Sequence, residues 1–501
     1  MSAPLKLAMA VAVLAFALVV FLNHRRSQDS KRTMLHPPGP PAREMPTHNT
    51  WIKFQEWGKE FGELVYVQEE NILILNTSRV ANDLLEKRAS IYSDRLITPL
   101  MELCGLGYIF SVARYSNAWR RDKKLFLQNF REATIDRFYP YQYEEVHKFL
   151  CNLSTSPHEF MQHTMGLSQS LVFSSIYGLD IHPSDPLARM AVETLATLGK
   201  VLTIGFFPTI EQFPWLRYLP SWFPGCGFKR VAAECLEKVE TLNTVPFDMA
   251  MDNQKKGLGT SLIAELAIQN EGNAEMIEAV KRMGILSYLA ASDTTMSSIG
   301  SFLLSMTLHP DIQRKGQEEI DRVIGEKRLP TFEDRPSLPY VEAIYQEVMR
   351  LHPPLPTGIF HTSTKDDFYR GFHIPKGCVV IPNIWAMNRD EELYSDPDKF
   401  MPERHLDSPT GPFTNINNII AFGFGRRVCA GRHMADNTVW LTVASVLATI
   451  TLGKAKDEKG NEIDIPGEYT SGMFRHPKPY QASITPRNQN TKNLIFATTS
   501  P

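Results

Sequence analysis

The part of the sequence with the most distinctive chemistry is a glycine-rich loop around one cysteine, FGFGRRVCAG. Gly425 and Gly431 allow the chain to turn tightly and to pass close to a flat ligand. Arg427 places a fixed cation two residues before the sulfur of Cys429. The segment Met434–Ile450 has a helical pattern, and the start of that helix would direct backbone N–H groups and a positive dipole end at a thiolate. This arrangement is what an axial sulfur ligand requires.

A second stretch, AASDTT, places an acid directly before a hydroxyl group at Asp293 and Thr294. It lies in the proline-free segment Ala274–Thr307, which is long enough for a helix that crosses a whole domain. A helical threonine usually donates its hydroxyl to the carbonyl four residues earlier, which is a purely structural role. In a reaction that consumes protons, the hydroxyl would position water and the acid would renew a proton relay.

A third pattern is the pair Glu347 and Arg350, in the predicted helix Pro339–Leu351 that Pro353 and Pro354 stop. The spacing of three residues puts both side chains on one face of the helix. An exposed ion pair of this kind is common and contributes little to stability. The pair by itself therefore predicts no function.

The elements that must position these residues are mainly helical. No internal repeat or second linker interrupts residues 47–501, which are therefore predicted to form one large domain. Pro310 suits the first turn of the helix that follows Ala274–Thr307. The expected fold class is mainly α with a minor β part. The other predicted elements are a hairpin of residues 64–68 and 72–75, a helix over 78–88, and short strands in 372–381 and after 466.

Residues 1–26 are predicted to be a membrane anchor. Leu7–Leu22 is an unbroken run of 16 apolar residues. As a helix it would be about 24 Å long at ~1.5 Å per residue, slightly short of a bilayer core of roughly 27–30 Å. A cleaved signal peptide is the alternative, but the positive charge follows the run, in Asn23–Arg26, and no small-x-small cleavage site comes after it. The positive-inside rule leaves the amino end luminal and the rest cytosolic, with basic and proline-rich residues 27–46 as a linker.

Composition argues against several other classes of protein. The chain has 501 residues, 43% of them apolar and 22% charged, with a net charge of -2, and it shows no basic stripe typical of nucleic-acid binding. Its six cysteines contain no C-x-x-C pair, so neither a disulfide framework nor a zinc site is predicted. The glycines of the cysteine loop do not fit G-x-G-x-x-G, which argues against a dinucleotide site.

The cysteine loop resembles the haem-binding signature of the cytochrome P450 family, F-x-x-G-x-R-x-C-x-G, at every fixed position, including Gly425 and Gly431. The resemblance implies the cytochrome P450 fold, with one large haem domain after an amino-terminal transmembrane helix. It also implies that Cys429 ligates the iron of haem b, that Arg427 pairs with a haem propionate and that Phe422 shields the thiolate. A thiolate ligand donates electron density that favours O–O cleavage.

Two further motifs resemble elements of the family. Thr294 matches the oxygen-side threonine and Asp293 its neighbouring acid, while Ala291 replaces the usual glycine, which would narrow the oxygen groove. Trp119 matches a tryptophan that contacts the propionates. The arginine that accompanies it in the family is Lys123 here, and a lysine provides a point charge without the bidentate fork.

The E-x-x-R pair also resembles a family element once PERH is added to it. Glu347, Arg350 and Arg404 match a buried network that stabilises the haem-side core, although His405 occupies a position that is usually aromatic. His361 matches a position near the other propionate, with an ordinary turn histidine as the alternative.

The resemblance implies a monooxygenase that inserts oxygen into a lipophilic molecule. Electrons would come from NADPH through the flavins of a cytochrome P450 reductase, with cytochrome b5 as a further candidate donor, at the endoplasmic reticulum membrane. Two rivals are an isomerase or dehydratase that rearranges a peroxide without external oxygen, and a haem sensor or carrier without turnover. The intact Asp293–Thr294 pair and the full-length loop favour the monooxygenase, since isomerase members tend to lose that threonine or to carry an insertion in the loop.

The substrate is the least constrained part of the function. The stretches IYSDR, IPNIWAMN and FRHP resemble filamentous-fungal secondary-metabolism members of the family. They imply a terpenoid or another secondary metabolite as substrate, with an aromatic or alkaloid precursor as the alternative. The candidate pocket residues are apolar: Ile109, Phe110, Phe206, Leu286, Ala290, Ile359, Phe360 and Met473.

Overall fold

Helices supply most of the architecture of this chain, and its sheets are small. The computed structural model describes residues 35–182, 185–202, 207–406 and 415–497. The predicted anchor Leu7–Leu22 and the candidate pocket residue Phe206 lie outside the described residues. Within these ranges, no helix is both long enough and apolar enough to cross a membrane.

The longer helices are numbered here in chain order. They are α1 Thr50–Phe61, α2 Asn117–Phe130, α3 Tyr139–Thr155, α4 Phe160–Val172, α5 Pro186–Val201, α6 Phe228–Lys255, α7 Leu262–Gln269, α8 Ala274–Leu308, α9 Pro310–Val323, α10 Pro339–Leu351, α11 Arg432–Thr449 and α12 Gln489–Ala497. The sequence-based bounds of α10, the start of α8 at Ala274 and the start of α9 at Pro310 are confirmed, while α8 ends at Leu308, one residue later than predicted. Helix α11 begins two residues earlier than predicted, directly after Gly431.

In the described residues, the strands form one sheet of five strands and two sheets of two strands. They are β1 Leu64–Val67, β2 Ile72–Leu75, β3 Asp94–Arg95, β4 His361–Thr362, β5 Asp367–Tyr369, β6 Phe372–Ile374, β7 Val379–Pro382, β8 Ile450–Lys454 and β9 Ala482–Pro486. The large sheet has the order β1-β2-β7-β4-β3, and the predicted hairpin is its antiparallel β1–β2 pair. The segment 372–381, predicted to form short strands, contains β6 and the start of β7, and a turn with Gly377 at φ +78° separates them.

Helix α8 is the central element of the fold. Its 35 residues span about 52 Å at ~1.5 Å per residue, and most of their side chains are buried. The Asn273 side chain caps its first turn by accepting from the Met276 N–H at 3.2 Å. Because the helix is surrounded by packed elements over most of its length, it lacks the single apolar stripe of a surface helix.

The predicted helix over 78–88 is helical, but not uniformly α. It begins as the α-helical turn Ser78–Ala81 and continues as the π-helix Asn82–Lys87. This wider turn contacts the cysteine loop, because Leu85 lies against Gly425. π-Helical turns are often found beside functional sites.

Candidate active site

An internal cavity of about 310 Å³ lies between the cysteine loop and helix α8. The loop contributes Cys429, and α8 contributes Ala290 and Thr294. The other candidate residues that line it are Ile109, Phe110, Trp119, Lys123, Leu286, Ile359, His361, Phe422, Arg427, Gly431 and Met473. The structure therefore brings most of the sequence-predicted site residues to one cavity.

Of the candidate catalytic, haem-binding and pocket residues that the structure describes, three do not line this cavity. Gly425 lies behind the loop, against the Leu85 backbone. Phe360 packs instead beside Val379 and Ile381 of β7, because adjacent residues of an extended segment point to opposite sides and Ile359 takes the cavity side. Asp293 faces a different cavity, described below.

The cysteine loop is held by its own backbone. The Cys429 N–H donates to the carbonyl of Phe422 at 2.8 Å, which closes the loop. Gly425 has φ +57°, and a Cβ there would lie 2.1 Å from the carbonyl oxygen of Leu85, so only glycine fits. Gly431 has φ -91°, and a Cβ there would meet only the Phe126 ring, at 3.9 Å. The backbone conformation therefore does not require glycine at position 431. The lack of a side chain there leaves room on the cavity side.

Cys429 opens into the cavity at the start of helix α11. Burial raises the pKa of its thiol, whereas the backbone N–H of Gly431 and the cations of Lys123 and Arg432 favour the thiolate. The protein alone thus leaves the thiol difficult to ionise. A bound metal cation would reverse this balance, since a coordinating thiol is deprotonated outright.

Arg427 is fixed by three hydrogen bonds to backbone carbonyls. Its Nε, Nη1 and Nη2 donate to Ser93, Phe110 and Ala113 at 2.7, 2.8 and 2.8 Å. The guanidinium carbon lies 4.2 Å from the centre of the Trp119 ring. Burial lowers the pKa of Arg427 to about 10, so it remains a cation at neutral pH.

Lys123 occupies the same corner of the cavity. Its ammonium group donates to the carbonyl of Arg426, and to that of Val428 at 3.5 Å. Burial, with repulsion from Arg427, lowers the pKa of Lys123 to about 8. The side chain therefore works here as a compact donor to the backbone of the cysteine loop.

Arg95 is a site residue that the sequence patterns did not single out. It lies in β3 opposite His361 of β4, and it lines the cavity. Its guanidinium donates to the carbonyls of Ser111, Ile359 and Phe360 at 3.1, 2.5 and 3.0 Å. Burial and the neighbouring Arg427 lower the pKa of Arg95 well below its usual value. The only signal in the sequence was its place in the family-like stretch IYSDR.

His361 is buried rather than exposed on a turn. Its Nδ1 lies 2.7 Å from the carbonyl oxygen of Tyr92. Burial, with repulsion from Arg95, holds the pKa of His361 well below its usual value, so its ring is neutral. A neutral ring that hydrogen-bonds the backbone through one nitrogen can present the other as a hydrogen-bonding group to the cavity.

This donor set fits a haem. Arg95, Lys123 and Arg427 line the cavity, and no carboxylate in the described ranges forms an ion pair with any of them. Cations held in a poorly solvated site are stabilised by an anionic partner, and the two propionates of a haem supply such charge. Cys429 provides the soft thiolate suited to its iron.

On the helix side of the cavity, the polar group of interest is the hydroxyl of Thr294. The hydroxyl of Thr294 donates to the carbonyl of Ala290 at 2.8 Å, which is the structural role expected of a helical threonine. The oxygen of that hydroxyl still has lone pairs that can accept from water in the cavity. Ala291, at the position of the usual glycine, also lines the cavity.

The adjacent Asp293 points elsewhere, because neighbouring residues of a helix are about 100° apart around its axis. Asp293 lines a second cavity of about 570 Å³ together with His476. Burial raises the pKa of Asp293, and the nearby His476 opposes that shift. The sequence patterns did not identify His476 as a site residue.

The predicted charged network is assembled around Glu347, which is fully buried. Arg350 donates to both of its oxygens, at 2.7 and 2.8 Å, and Arg404 donates to one at 3.1 Å. His405, the departure from the family pattern, lies 2.8 Å from Glu347 through its Nε2 and so joins the network. Burial opposes ionisation of Glu347, but the hydrogen bonds from Arg350 and His405 outweigh it and lower the pKa of this carboxyl to about 2.

Comparison with known proteins identifies the fold and the loop. The family model described as cytochrome P450 matches residues 41–484. The chain is 35% identical to cytochrome P450 monooxygenase 176 of Postia placenta, with 97% of each chain covered. It is 33% identical to cytochrome P450 monooxygenase COX1 of Coprinopsis cinerea, with 98% of each covered. It is also 34% identical to cytochrome P450 monooxygenase ple1 of Rhodocybe pseudopiperita, with 99% of this chain and 98% of the relative covered.

Proposed function

The chain belongs to the cytochrome P450 family and is an oxygen-incorporating oxidoreductase, and from that premise we propose that it oxidises a lipophilic secondary metabolite, foremost a terpenoid. Its electrons come from NADPH through a membrane-bound cytochrome P450 reductase, with cytochrome b5 as a further donor. The observation that carries the proposal is the joint position of Cys429, the cations Arg95, Lys123 and Arg427, and Thr294 around one cavity.

The side chains divide the work between binding and proton handling. Cys429 would supply the thiolate ligand of the haem iron, and Arg95, Lys123 and Arg427 would hold its propionates. When bound, the haem supplies the centre at which dioxygen is reduced and one oxygen atom is inserted into the substrate. Monooxygenation consumes two electrons and two protons per turnover. Because water would carry these protons, it must be ordered inside a largely apolar cavity. The Thr294 oxygen, held in place by the bond of its hydroxyl to Ala290, is the group that can accept from such water.

The proposed substrate class follows from the lining of the cavity outside the cation cluster. Leu286, Ile359 and Met473 come from three separate segments and present only apolar groups. Apart from Trp119 and His361, the polar side chains there carry uncharged hydroxyl or thiol groups. One example is Ser287, whose hydroxyl already donates to the Met283 carbonyl at 2.8 Å. A scaffold with few hydrogen-bonding groups suits such a lining, because a polar group buried without a partner is costly.

The function is tested by incubating reductase-coupled membranes with a panel of scaffolds. Terpenoid hydrocarbons, aromatic precursors and alkaloid precursors should be compared in isotope-labelled dioxygen, with and without NADPH. We expect a product that carries one labelled oxygen atom and requires NADPH, from a terpenoid or a similarly apolar scaffold. Product formation without NADPH and dioxygen would support the isomerase instead, and labelled product from the alkaloid precursors alone would replace the terpenoid assignment.

We also propose that the protein is a single-pass protein of the endoplasmic reticulum with a cytosolic catalytic domain. The apolar run Leu7–Leu22 supports an anchor. A surface patch, which we call the aromatic patch, supports contact of the catalytic domain with the same membrane, because tryptophan and tyrosine favour the membrane–water interface. Its members are Phe213, Trp215, Tyr218, Trp222 and Phe223, with Tyr218 and Trp222 83% and 80% exposed.

The membrane proposal is tested in two steps. Deletion of residues 1–26 should release the protein at least partly from sedimented membranes without abolishing haem binding. Adding Trp215→Ser, Tyr218→Ser and Trp222→Ser should release the remainder, whereas Phe368→Ser, at a residue 60% exposed outside the aromatic patch, should not. Complete retention of both truncated forms after carbonate washing would contradict this attachment.

A further inference from the structure

A second cavity of about 570 Å³ adjoins the active-site cavity on the other side of helix α8 residues 292–296. Its walls come from α4, α5, α8 and the turn before β9. Four of its lining residues also line the active-site cavity: Leu195, Gly199, Met473 and Phe474. Unlike the first cavity, it contains an acid and a base that face each other, Asp293 and His476.

The two groups are close but not in direct hydrogen-bond contact. Nε2 of His476 lies 3.7 Å from Oδ1 of Asp293, a distance at which a bridging water is expected. The side chains of His476 and Asp293 are 19% and 24% exposed, and both line the cavity. Nδ1 of His476 is buried and has no hydrogen-bond partner among the described residues. Such an orphaned nitrogen calls for an explanation. Because it is buried, a rotation of the ring would be needed to bring it to water in the second cavity.

The position of His476 does not depend on its own imidazole. The backbone N–H of His476 donates to the Thr470 hydroxyl at 2.9 Å, and the Thr470 N–H donates to the carbonyl of His476 at 2.8 Å. The hydroxyl of Ser297, one turn after Asp293 on α8, donates to the Arg475 carbonyl at 2.5 Å. The turn is thus attached to the helix beside Asp293 by groups other than the ring, which leaves the ring free for another role.

We propose that His476 passes protons from water in the second cavity to Asp293, and that Asp293 passes them to water at Thr294. This deepens the proposed function, on which it rests, by naming the entry point of the protons that oxygen reduction consumes. One nitrogen of the neutral imidazole binds a proton from cavity water while the other releases a proton through the bridging water to Oδ1 of Asp293. The protonated carboxyl then releases its proton to water on the Thr294 side. Each transfer moves one proton and no electrons, and both side chains return to their starting states.

The electrostatic surroundings favour a shared proton. Burial lowers the pKa of His476 and raises that of Asp293, and the attraction between them opposes both shifts. The other charged or titratable groups that face the pair are Lys200 of α5 and Tyr288 of α8. Arg475 is adjacent in sequence, but its guanidinium is directed to His352 and to the Tyr469 ring. The pair therefore titrates as a coupled unit rather than as two independent groups.

The first experiment measures the titration of His476 and its dependence on Asp293 in the absence of turnover. Histidine Cε1 signals are followed through a pH titration of the haem-loaded, reduced, CO-bound protein, and the signal lost in His476→Gln identifies this residue. In Asp293→Asn, the His476 midpoint should move to lower pH, because the anion that favours the charged ring is gone. An unchanged midpoint would overturn the pairing, whether or not any variant is active.

The second experiment measures NADPH oxidation by the reductase-coupled enzyme with no organic substrate added. His476→Arg places a permanent positive charge at this position but cannot pass on a proton, since arginine stays protonated. NADPH oxidation should slow by up to about 10²-fold, the lower end of the range for a positioned acid–base group. The wild-type rate should fall as rising pH removes the shared proton, and this dependence should be flat in His476→Arg.

Lys200→Gln is the matched control, because it removes a charge from the same cavity while leaving the pair intact. It should retain the wild-type rate and pH profile. A wild-type rate and profile in His476→Arg, or an equal loss in Lys200→Gln, would overturn the relay. If His476→Arg lacks the CO-bound spectrum of a folded haem protein, His476→Gln is measured instead with the same expectation. A wild-type enzyme that fails to oxidise NADPH would count against the proposed function, while the titration would still decide the pairing.

Discussion

The two sides of the active-site cavity are held by different kinds of interaction. On the cysteine side, the loop is closed by its own backbone, and Arg427 attaches it to three carbonyls of the segment 93–113. On the helix side, the Thr294 hydroxyl is bonded to a carbonyl of its own helix, and Asp293 faces His476 of a distant segment. The cysteine side is therefore a rigid unit that tolerates little change, whereas the helix side depends on groups that can be removed one at a time.

The largest effect is expected on the cysteine side, from Cys429→Ala. Without the sulfur, the protein should lose its thiolate-type haem centre completely. The measurement is the spectrum of the reduced, CO-bound protein, with Cys151→Ala in helix α3 as the control that should keep the thiolate-type Soret band. A normal thiolate-type band in Cys429→Ala would show that Cys429 is not the ligand of the haem iron.

A large loss of stability is expected from Glu347→Gln, in the network behind the cysteine side. The carboxylate is fully buried and accepts from Arg350, Arg404 and His405. Removing one partner of a buried charged network typically costs about 3–5 kcal/mol, because the other charges are left unpaired. Chemical denaturation should show this change, whereas Glu56→Gln, at an exposed ion pair, should change the free energy of unfolding by less than about 0.5 kcal/mol.

The lowered pKa of Glu347 also predicts how the stability of the protein depends on pH. Because the folded-state pKa of Glu347 is lowered to about 2, its ionised form stabilises the protein at all pH values above the ordinary glutamate range near 4.5. That contribution should be lost as pH falls from about 4.5 towards 2. In acid denaturation, the difference in stability between the wild type and Glu347→Gln should shrink over this interval. A constant difference would mean that the charge of Glu347 is not the source of its effect.

On the helix side, Thr294→Ala should change coupling more than binding. The cavity keeps nearly the same shape, but water beside Thr294 loses the hydroxyl oxygen that accepts its hydrogen bond. A positioned proton-transfer group contributes about 10²–10⁴-fold in rate, so a partial loss is measurable. NADPH consumed, hydrogen peroxide released and product formed should be compared with those of Thr307→Ala, which loses the same kind of intrahelical bond away from the cavity. Unchanged product per NADPH would remove Thr294 from the relay.

The smallest effects should separate the two glycines of the cysteine loop. Gly425→Ala should destabilise the protein by about 1–3 kcal/mol from its left-handed backbone alone, and by more because of the contact with Leu85. Gly431→Ala should leave the free energy of unfolding of the haem-free protein almost unchanged, since its φ is ordinary and its neighbours are distant. Thermal unfolding of both variants measures the difference. Equal destabilisation would contradict the distinct roles of the two glycines.

Much of the architecture could be predicted because it depends on residues that are close together in the sequence. The bounds of α8 and α10 follow from a proline-free segment and from flanking prolines, which act on the backbone within one turn. The cysteine loop was identified by ten adjacent residues. Its key constraint, the positive φ of Gly425, is a property of one residue type.

The remaining features required the tertiary structure. Arg95 enters the site because β3 pairs with β4, and His476 meets Asp293 because Ser297 attaches its turn to α8. His405 contributes to the Glu347 network only after residues far apart in sequence are brought together. Hydrogen bonds over such separations leave no periodic pattern in the chain.

The sequence by itself determined the ligand loop, the helix that faces it and the acid–hydroxyl pair, since each depends on residues within a few turns of one another. Only the tertiary structure decided which cavity each side chain enters. Asp293 and Thr294 are neighbours in the chain, yet the rotation of about 100° between adjacent helical residues sends them to different cavities. What each then meets is set by the packing of distant segments against α8, because side-chain surroundings are a property of the whole fold.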